Sequence, residues 1–484
     1  MLRTVEEYKQ SLRDGRVVYY RGERVPDVTS HPVIGVAVEH AAIDYRMAED
    51  PAHRDLAVTT WPGTAEPISR YYAVPKTSDD LLKRSALIAK STEIGATLVV
   101  LIKEIGTDAL FGLHIIAKHM DDALGTQYLP RVRAFHEHCA RNDLAVAVAQ
   151  TDVKGDRSLG PAEQADPDFY VHIVDERPDG IVVRGAKVHT SVSTNANEII
   201  VLPTRAMGAE DRAYAVAFAV PANAQGLRMV ASPYGGHKKS AFEHPISAKH
   251  KMMETLTIFE DVFVPNERVF LKGEWQYAGP LAKTFVEFHR FTAVSYKLPL
   301  LDLLIGAAQL MVEYNGIERA GHVREKMSWL IAYAETVRAL TRLAALDYKM
   351  VEPEIAAPNT FLVNMAKLHF ANGYHQALMH VQDIAGGLIV TGPGEEDLRN
   401  PETGDVIRRL LGGKKGVGGE DRLRAINLVQ DLTAGDFGGY QAVLAIHAEG
   451  SIEAEKITIL REYDAASAKT YAKWVAGIGE SPLP

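Results

Sequence analysis

Between Asp143 and Pro203 apolar and polar positions alternate with a period of two, which predicts short, half-buried strands. The apolar members are Ala145, Val146 and Val148, then Phe169, Val171 and Ile173, then Ile181 and Val183, and finally Ile199 and Val201. Pro178-Asp179-Gly180 supplies a hairpin turn among them. A further strand, Glu254 to Pro265, ends at a proline, which has no N–H to give to a ladder. On either side the spacing turns helical. Before the strands, Ser78 to Leu124 reads as a pair of long helices and Tyr128 to Asn142 as another, while Thr4 is a candidate N-cap for a short opening helix. After them come Leu281 to Glu313, Ile317 to Lys349, Pro358 to Asp383, Asp421 to Gly435 and a helical tail from Gly450 to Trp474.

This order predicts an α+β chain in three regions: an N-terminal helical region over 1–142, a central β-barrel-like domain over 143–272 and a C-terminal helical bundle over 273–484. A length of 484 residues with 46% hydrophobic content is ample for a large core. The most apolar stretch, Leu298 to Val312, contains Asp302 and Gln309 and is shorter than the ~20 residues that span a bilayer, so a buried helix is expected. Gly95 and Gly106 fall in the long-helix region, where glycine costs about 1 kcal/mol against alanine, so a close neighbour or a ligand is expected there.

Charge and cysteine content remove several functional classes. A net charge of -9 without a basic tract argues against nucleic acid or an anionic membrane as partner. The single cysteine, Cys139, allows no intrachain disulfide and no cysteine-built metal centre within one chain. The charged opening MLRTVEEYKQSLRDG has no apolar segment of signal-peptide type, so a cytoplasmic enzyme is expected.

Loops leaving a rigid sheet are where ligand contacts concentrate, and two here are polar: Gln150 to Arg157, and His189 to Asn195. His136, His138 and Cys139 lie close together, but residues i and i+2 of a helix point apart, so no metal site is expected. The run Gly412 to Gly419 matches no phosphate-loop pattern and reads as a connector. Lys238, Lys239 and His244 fall in a polar insertion of the β-domain that could order over a pocket. Gly386 and Gly387 end a helix, either as a simple stop or as exposed backbone for a phosphate.

Longer stretches carry a resemblance. They are NDLAVAVAQTDVKGDR, ADPD at Ala165 to Asp168, GIVVRGAKVH, FEDVFVPNERVFL, His289-Arg290, IGAAQLMVEYNG, HVREK and DIAGGLIVTGP, which together run through nearly the whole chain. In these the chain resembles the family of 4-hydroxyphenylacetate 3-hydroxylases and 4-hydroxybutyryl-CoA dehydratases, flavoenzymes of the acyl-CoA dehydrogenase-like fold, and is more similar to the dehydratase branch. The resemblance implies noncovalent FAD between β-domain and bundle, shared across subunits of a homotetramer. It places Gln150, Thr151, Lys154, Asp156 and Arg157, then His189, Ser191 and Ser193, and Gly386 and Gly387, at the cofactor. It also places His289, Glu254, Lys297 and Tyr296 in the substrate pocket.

The chain departs from both branches. The dehydratases hold a four-iron four-sulfur cluster on three cysteines and a histidine. His289 keeps the histidine, but Val100, Glu104 and Tyr296 stand at the cysteine positions and Ala293 at that of a catalytic tyrosine. None of those side chains replaces a cluster thiolate, so no cluster is expected. Where the hydroxylases place an arginine and a tyrosine on a phenol, this chain has Ile105 and Ala109. Two enzymatic readings follow: a two-component monooxygenase that takes reduced FAD from a separate reductase, since no nicotinamide fingerprint is present, or a cluster-free dehydratase or double-bond isomerase acting on an acyl-CoA or related acid. A flavin protein without catalysis is the third.

Overall fold

The structure, a computed structural model, describes residues 2–236 and 240–478; Lys238 and Lys239 therefore lie outside the described residues. The N-terminal part is not only helical. Val18–Tyr20 (β1) and Glu23–Val25 (β2) form a hairpin, and Val58–Thr60 (β3) pairs with Pro67–Ser69 (β4). The strands of the β-domain follow as Val146–Ala149 (β5), His172–Arg177 (β6), Gly180–Ser191 (β7), Glu198–Val201 (β8), Val216–Pro221 (β9), Leu227–Ala231 (β10), Glu254–Pro265 (β11) and Val269–Lys272 (β12). They form a six-stranded sheet in the order β2-β1-β10-β11-β7-β6 and a four-stranded sheet in the order β12-β9-β8-β5. Phe218 of β9 meets Phe259 of β11 edge-on at 5.8 Å, so the core of the domain lies between the two sheets. The expected strand at Phe169 to Ile173 begins later, at His172, because Pro167 to Phe169 forms a 3-10 turn capped by Asp166.

One irregularity of the large sheet positions the site. Thr255 faces Thr190 and Thr257 faces Lys187, so β7 carries an extra residue against β11, a β-bulge. His189 sits in the bulge with φ +55°. The extra residue turns His189 outward and leaves Ser191 directly opposite Glu254 at the end of the ladder.

The long helices have the expected ends. Thr77 and Asp80 form a capping box at the start of Ser78–Ile94, and Gly125, at φ +69°, stops Glu104–Leu124 in the left-handed conformation that glycine adopts without strain. Gly106 explains itself by packing: a Cβ there would lie 2.5 Å from the Val146 Cβ, so its absence lets the helix rest on β5. Gly95 caps the preceding helix, and a Cβ would meet the Leu98 carbonyl at 2.5 Å and the His40 ring. The bundle is built on Ala278–Asn315, Gly321–Leu346 and Thr360–Ala385. Trp275–Asn315 is long and apolar enough to cross a membrane, but 78% of its most apolar window is buried against other parts of the chain. Each large apolar side chain it buries contributes about 1.5–3 kcal/mol. A short strand pair, Lys349–Val351 with Ile355–Ala357, joins the second and third of these bundle helices, and Leu388–Thr391, Glu395–Arg399, Gly404–Leu410, Gly419–Thr433, Asp436–His447, Ile452–Glu462 and Ala465–Val475 follow.

Candidate active site

Glu254 begins β11 at the wall of a cavity of about 560 Å³, which is also lined by Ser232, Tyr234, Lys251, Asp436 and Tyr440. The Ser191 hydroxyl contacts both carboxylate oxygens at 2.9 and 3.1 Å, and the Tyr440 hydroxyl donates to Oε1 at 2.6 Å. Burial pushes the Glu254 carboxyl up to about 7, against the pull of these two hydroxyls. A carboxyl that titrates near neutrality can both give and take a proton there. Ser193 is buried beneath this point, bonded to Thr255 at 2.7 Å and to the Thr190 carbonyl.

His289 lies in the Ala278–Asn315 helix, buried, stacked on Phe285 with ring centres 5.3 Å apart. Its Nδ1 is 3.1 Å from Asp108 Oδ2. Asp108 comes from the Glu104–Leu124 helix and also accepts from Arg84 at 2.7 Å and Thr292 at 2.9 Å. Asp108, whose other contacts are to donors, is placed to accept a hydrogen bond from His289 Nδ1–H, the tautomer that leaves Nε2 as an acceptor.

Two helical turns further along, Tyr296 and Lys297 enter a buried charge cluster. Tyr296 donates to Glu449, and Lys297 Nζ is 3.0 Å from Glu449 Oε2 and 3.2 Å from the Tyr296 hydroxyl. Lys367 is 3.2 Å from Glu455 and 3.8 Å from Glu449, while Arg290 bonds the Glu449 carbonyl and Asn364. Burial, then Lys367, pull the Lys297 ammonium well down; burial, then Glu455, push the Glu449 carboxyl well up. The Asp436–His447 helix connects the two places, because it offers Tyr440 to Glu254 while the residues just beyond it bring Glu449 to Lys297.

The polar loop 150–157 leaves β5. The Gln150 carbonyl accepts from Lys187 and Thr204, its side-chain amide reaches the Ala282 carbonyl at 3.5 Å, and the Thr151 carbonyl accepts from Val188. Asp156 is exposed and turned onto Ser158. Lys154 is half-buried, and its ammonium is lowered by burial and then by Arg157, with Arg205 adding to the effect. His189 is lowered by partial burial, then by Lys154 and His447. These cations on one loop cluster suit a pyrophosphate. Thr190 Oγ1 and Asn195 Nδ2 are buried without a hydrogen-bond partner among the described residues. The donor set thus fits a flavin dinucleotide. Gly386 and Gly387 are exposed at the end of Thr360–Ala385, Gly386 at φ +83° in the manner of a helix stop, and a Cβ at either would meet nothing within 4 Å.

The residues at the cluster-cysteine positions do not fit a metal cluster. Val100 and Glu104 are fully buried, Glu104 beside Asp44, and Tyr296 is spent on Glu449. Among the described residues no group of three or more His, Cys, Asp or Glu is arranged to hold a metal. His136 bonds His114 and the Tyr72 carbonyl, and Cys139 is buried and free. Ile105 and Ala109 are buried in the Glu104–Leu124 helix.

The family descriptions "4-hydroxyphenylacetate 3-hydroxylase N terminal" and "C terminal" match residues 4–271 and 278–477. The chain belongs to the 4-hydroxyphenylacetate 3-hydroxylase family. It is 32% identical to a 4-hydroxybutyryl-CoA dehydratase/vinylacetyl-CoA-Delta-isomerase of Clostridium aminobutyricum, over 99% of this chain and 100% of that one. It superposes with a TM-score of 0.93 on an oxygen-tolerant archaeal 4-hydroxybutyryl-CoA dehydratase from N. maritimus, at 30% identity, covering 100% of this chain and 97% of that one. The oxygenase component (HpaB) of 4-hydroxyphenylacetate 3-monooxygenase, solved with FAD, superposes at 0.89 with 26% identity over 98% of both chains. The fold is thus the α+β, acyl-CoA dehydrogenase-like arrangement shared by both branches of this family. Asp108, Tyr440 and Glu449 are the site residues that sequence reasoning missed; Asp108 lies within the stretch IGTDA, while Tyr440 and Glu449 carry no pattern.

Proposed function

We propose that this family member is an FAD-dependent oxygenase component that hydroxylates a small organic or aromatic substrate, working with a separate flavin reductase. The observation that carries this reading is Tyr296 bonded to Glu449 where a cluster thiolate would stand. Bound FAD, delivered reduced, supplies the two electrons with which oxygen is divided between product and water. The chain's own residues do the rest. Lys154 and Arg157 hold the pyrophosphate, and Ser191 and its neighbours orient the ring edge. His289 Nε2, fixed by Asp108, and the Glu254 carboxyl move protons at the substrate. Lys297, lowered by burial, and Tyr296, two turns beyond His289 on the same helix, form a buried polar cluster with Glu449. Ile105 and Ala109 remove the phenol-holding pair, which supports a substrate other than 4-hydroxyphenylacetate.

A redox-neutral reading, a cluster-free dehydratase or double-bond isomerase of an acyl-CoA, is supported by the 32% identity and by the retained Glu254, His289 and Lys297. Two assays separate them: oxygen uptake with enzymatically reduced FAD and a panel of phenols, and conversion of 4-hydroxybutyryl-CoA or vinylacetyl-CoA with oxidised FAD under anaerobic conditions. Turnover in the second alone overturns the oxygenase reading. The ligand set further supports protein free of iron and acid-labile sulfide, and stoichiometric iron after anaerobic purification would refute that. We place the enzyme in the cytoplasm as a homotetramer in which Gly386 and Gly387 approach the cofactor of a neighbouring subunit; a stable FAD-loaded monomer on sedimentation would sink the assembly.

A further inference from the structure

We propose that Tyr440 is a positioning residue, holding Glu254 jointly with Ser191 and thereby setting the pH at which this carboxyl exchanges its proton with the cavity. The inference rests on the acid/base role given to Glu254 above and adds a residue from a different part of the fold. Ser191 reaches Glu254 from the neighbouring strand, so its contact is a cross-strand pair set by the bulge. Tyr440 reaches the same carboxyl from the Asp436–His447 helix, and at 2.6 Å its bond is the shortest that Glu254 makes. The Tyr440 ring is stacked on Tyr234, centres 4.9 Å apart at 24°, which fixes where its hydroxyl points. Lys251 Nζ lies over the other ring of that stack, 4.7 Å from its centre.

A carboxylate offers about four acceptor positions, and two hydroxyl donors leave room for a ligand proton on the cavity side. Both hydroxyls donate to the ionised form better than to the protonated one, so they favour loss of the proton while burial opposes it. Among the described residues, the other titratable groups lining the cavity with Glu254 are Tyr234 and Lys251, which lie between β10 and β11, and Asp436 from the helix that carries Tyr440. Tyr440, like Ser191, is therefore a group whose removal changes the carboxyl directly without changing any formal charge. Phenylalanine there keeps the stack on Tyr234 and deletes the donor alone.

The test is an infrared difference titration of the full-length protein, following the protonated-carboxyl band that Glu254→Gln abolishes; it needs neither substrate nor turnover. In Tyr440→Phe the midpoint of that band is expected about one pH unit above wild type, the effect of losing one hydrogen bond to a charged group, and Ser191→Ala is expected to move it the same way. The reciprocal measurement is the ultraviolet titration of the tyrosines: burial first, and then Glu254, hold the Tyr440 phenol high, so Glu254→Gln lowers that transition in part and Tyr440→Phe removes it. An unmoved Glu254 midpoint in a folded Tyr440→Phe protein, or an unchanged phenol titration in Glu254→Gln, overturns the proposal. Should Glu254→Gln turn over like wild type, the acid/base reading fails while the titration result still decides the role of Tyr440.

Discussion

His289 Nδ1 faces Asp108 Oδ2 at 3.1 Å, and the same carboxylate is gripped by Arg84 at 2.7 Å. The imidazole is thus held by a carboxylate that is itself neutralised. His289→Ala is expected to lower turnover by about 10² or more, in the range of a lost acid/base group, while leaving FAD bound. Asp108→Asn is expected to lower both turnover and melting temperature, because it strands Arg84 inside the protein, and breaking a buried pair costs about 3–5 kcal/mol. Steady-state kinetics beside calorimetry checks both, and wild-type turnover in His289→Ala would remove that residue from the pocket.

Glu254 also leaves a signature in stability. Burial raises its carboxyl from 4.5 to about 7, so the folded protein keeps a proton that the unfolded chain has given up. Below the lower value both states hold the proton and nothing is lost. As pH climbs through that window the folded state loses stability, and above it the loss is complete. The melting-temperature advantage of Glu254→Gln over wild type should accordingly be larger at about pH 8 than at about pH 5, and a pH-independent difference would contradict the raised carboxyl.

Arg157 belongs to the cation cluster around Lys154 and is itself exposed. Arg157→Ala is expected to weaken FAD retention by about tenfold, the scale of one charge-assisted contact to a phosphate. Flavin absorbance after gel filtration of reconstituted protein measures it, and unchanged retention removes the residue from the site.

Gly106→Ala sets two effects against each other. Alanine gains about 1 kcal/mol of helix propensity. Its methyl group, however, would lie 2.5 Å from the Val146 Cβ and 2.9 Å from the Val146 carbonyl oxygen. Overpacking of that kind costs about 1–3 kcal/mol, and because backbone cannot swing aside, the clash should win. The melting temperature is expected to fall, and a rise would show that helix and strand can part at no cost.

What could be read from the sequence follows from where the information lies along the chain. The bounds of β11 were legible because alternation and a terminal proline agree, and the long helices because their periodicity spans many turns. β9, VAFAVP, is nearly apolar throughout and buried on both faces, so it shows no alternation, while β1 and β2 are three residues each and too short to show a period. In the site, Glu254, His289 and Lys297 were reached through resemblance alone. Their partners Tyr440, Asp108 and Glu449 stand 186, 181 and 152 residues away, and no local pattern encodes a contact made only by the fold.

The parallel pairing of β1 with β10 sets Val18 beside Met229. During synthesis the first hairpin therefore emerges long before the strand it must join. At about 5–20 residues per second the wait is on the order of ten to forty seconds, during which the side of β1 that β10 will occupy presents open backbone donors and acceptors. The large sheet, and with it the frame that holds Glu254, is completed only after roughly half the polypeptide has left the ribosome. Early chain termination or slow translation before residue 231 would then yield fragments prone to pair with one another, so that yield in the cell depends on the pace of translation as well as on the stability of the finished enzyme.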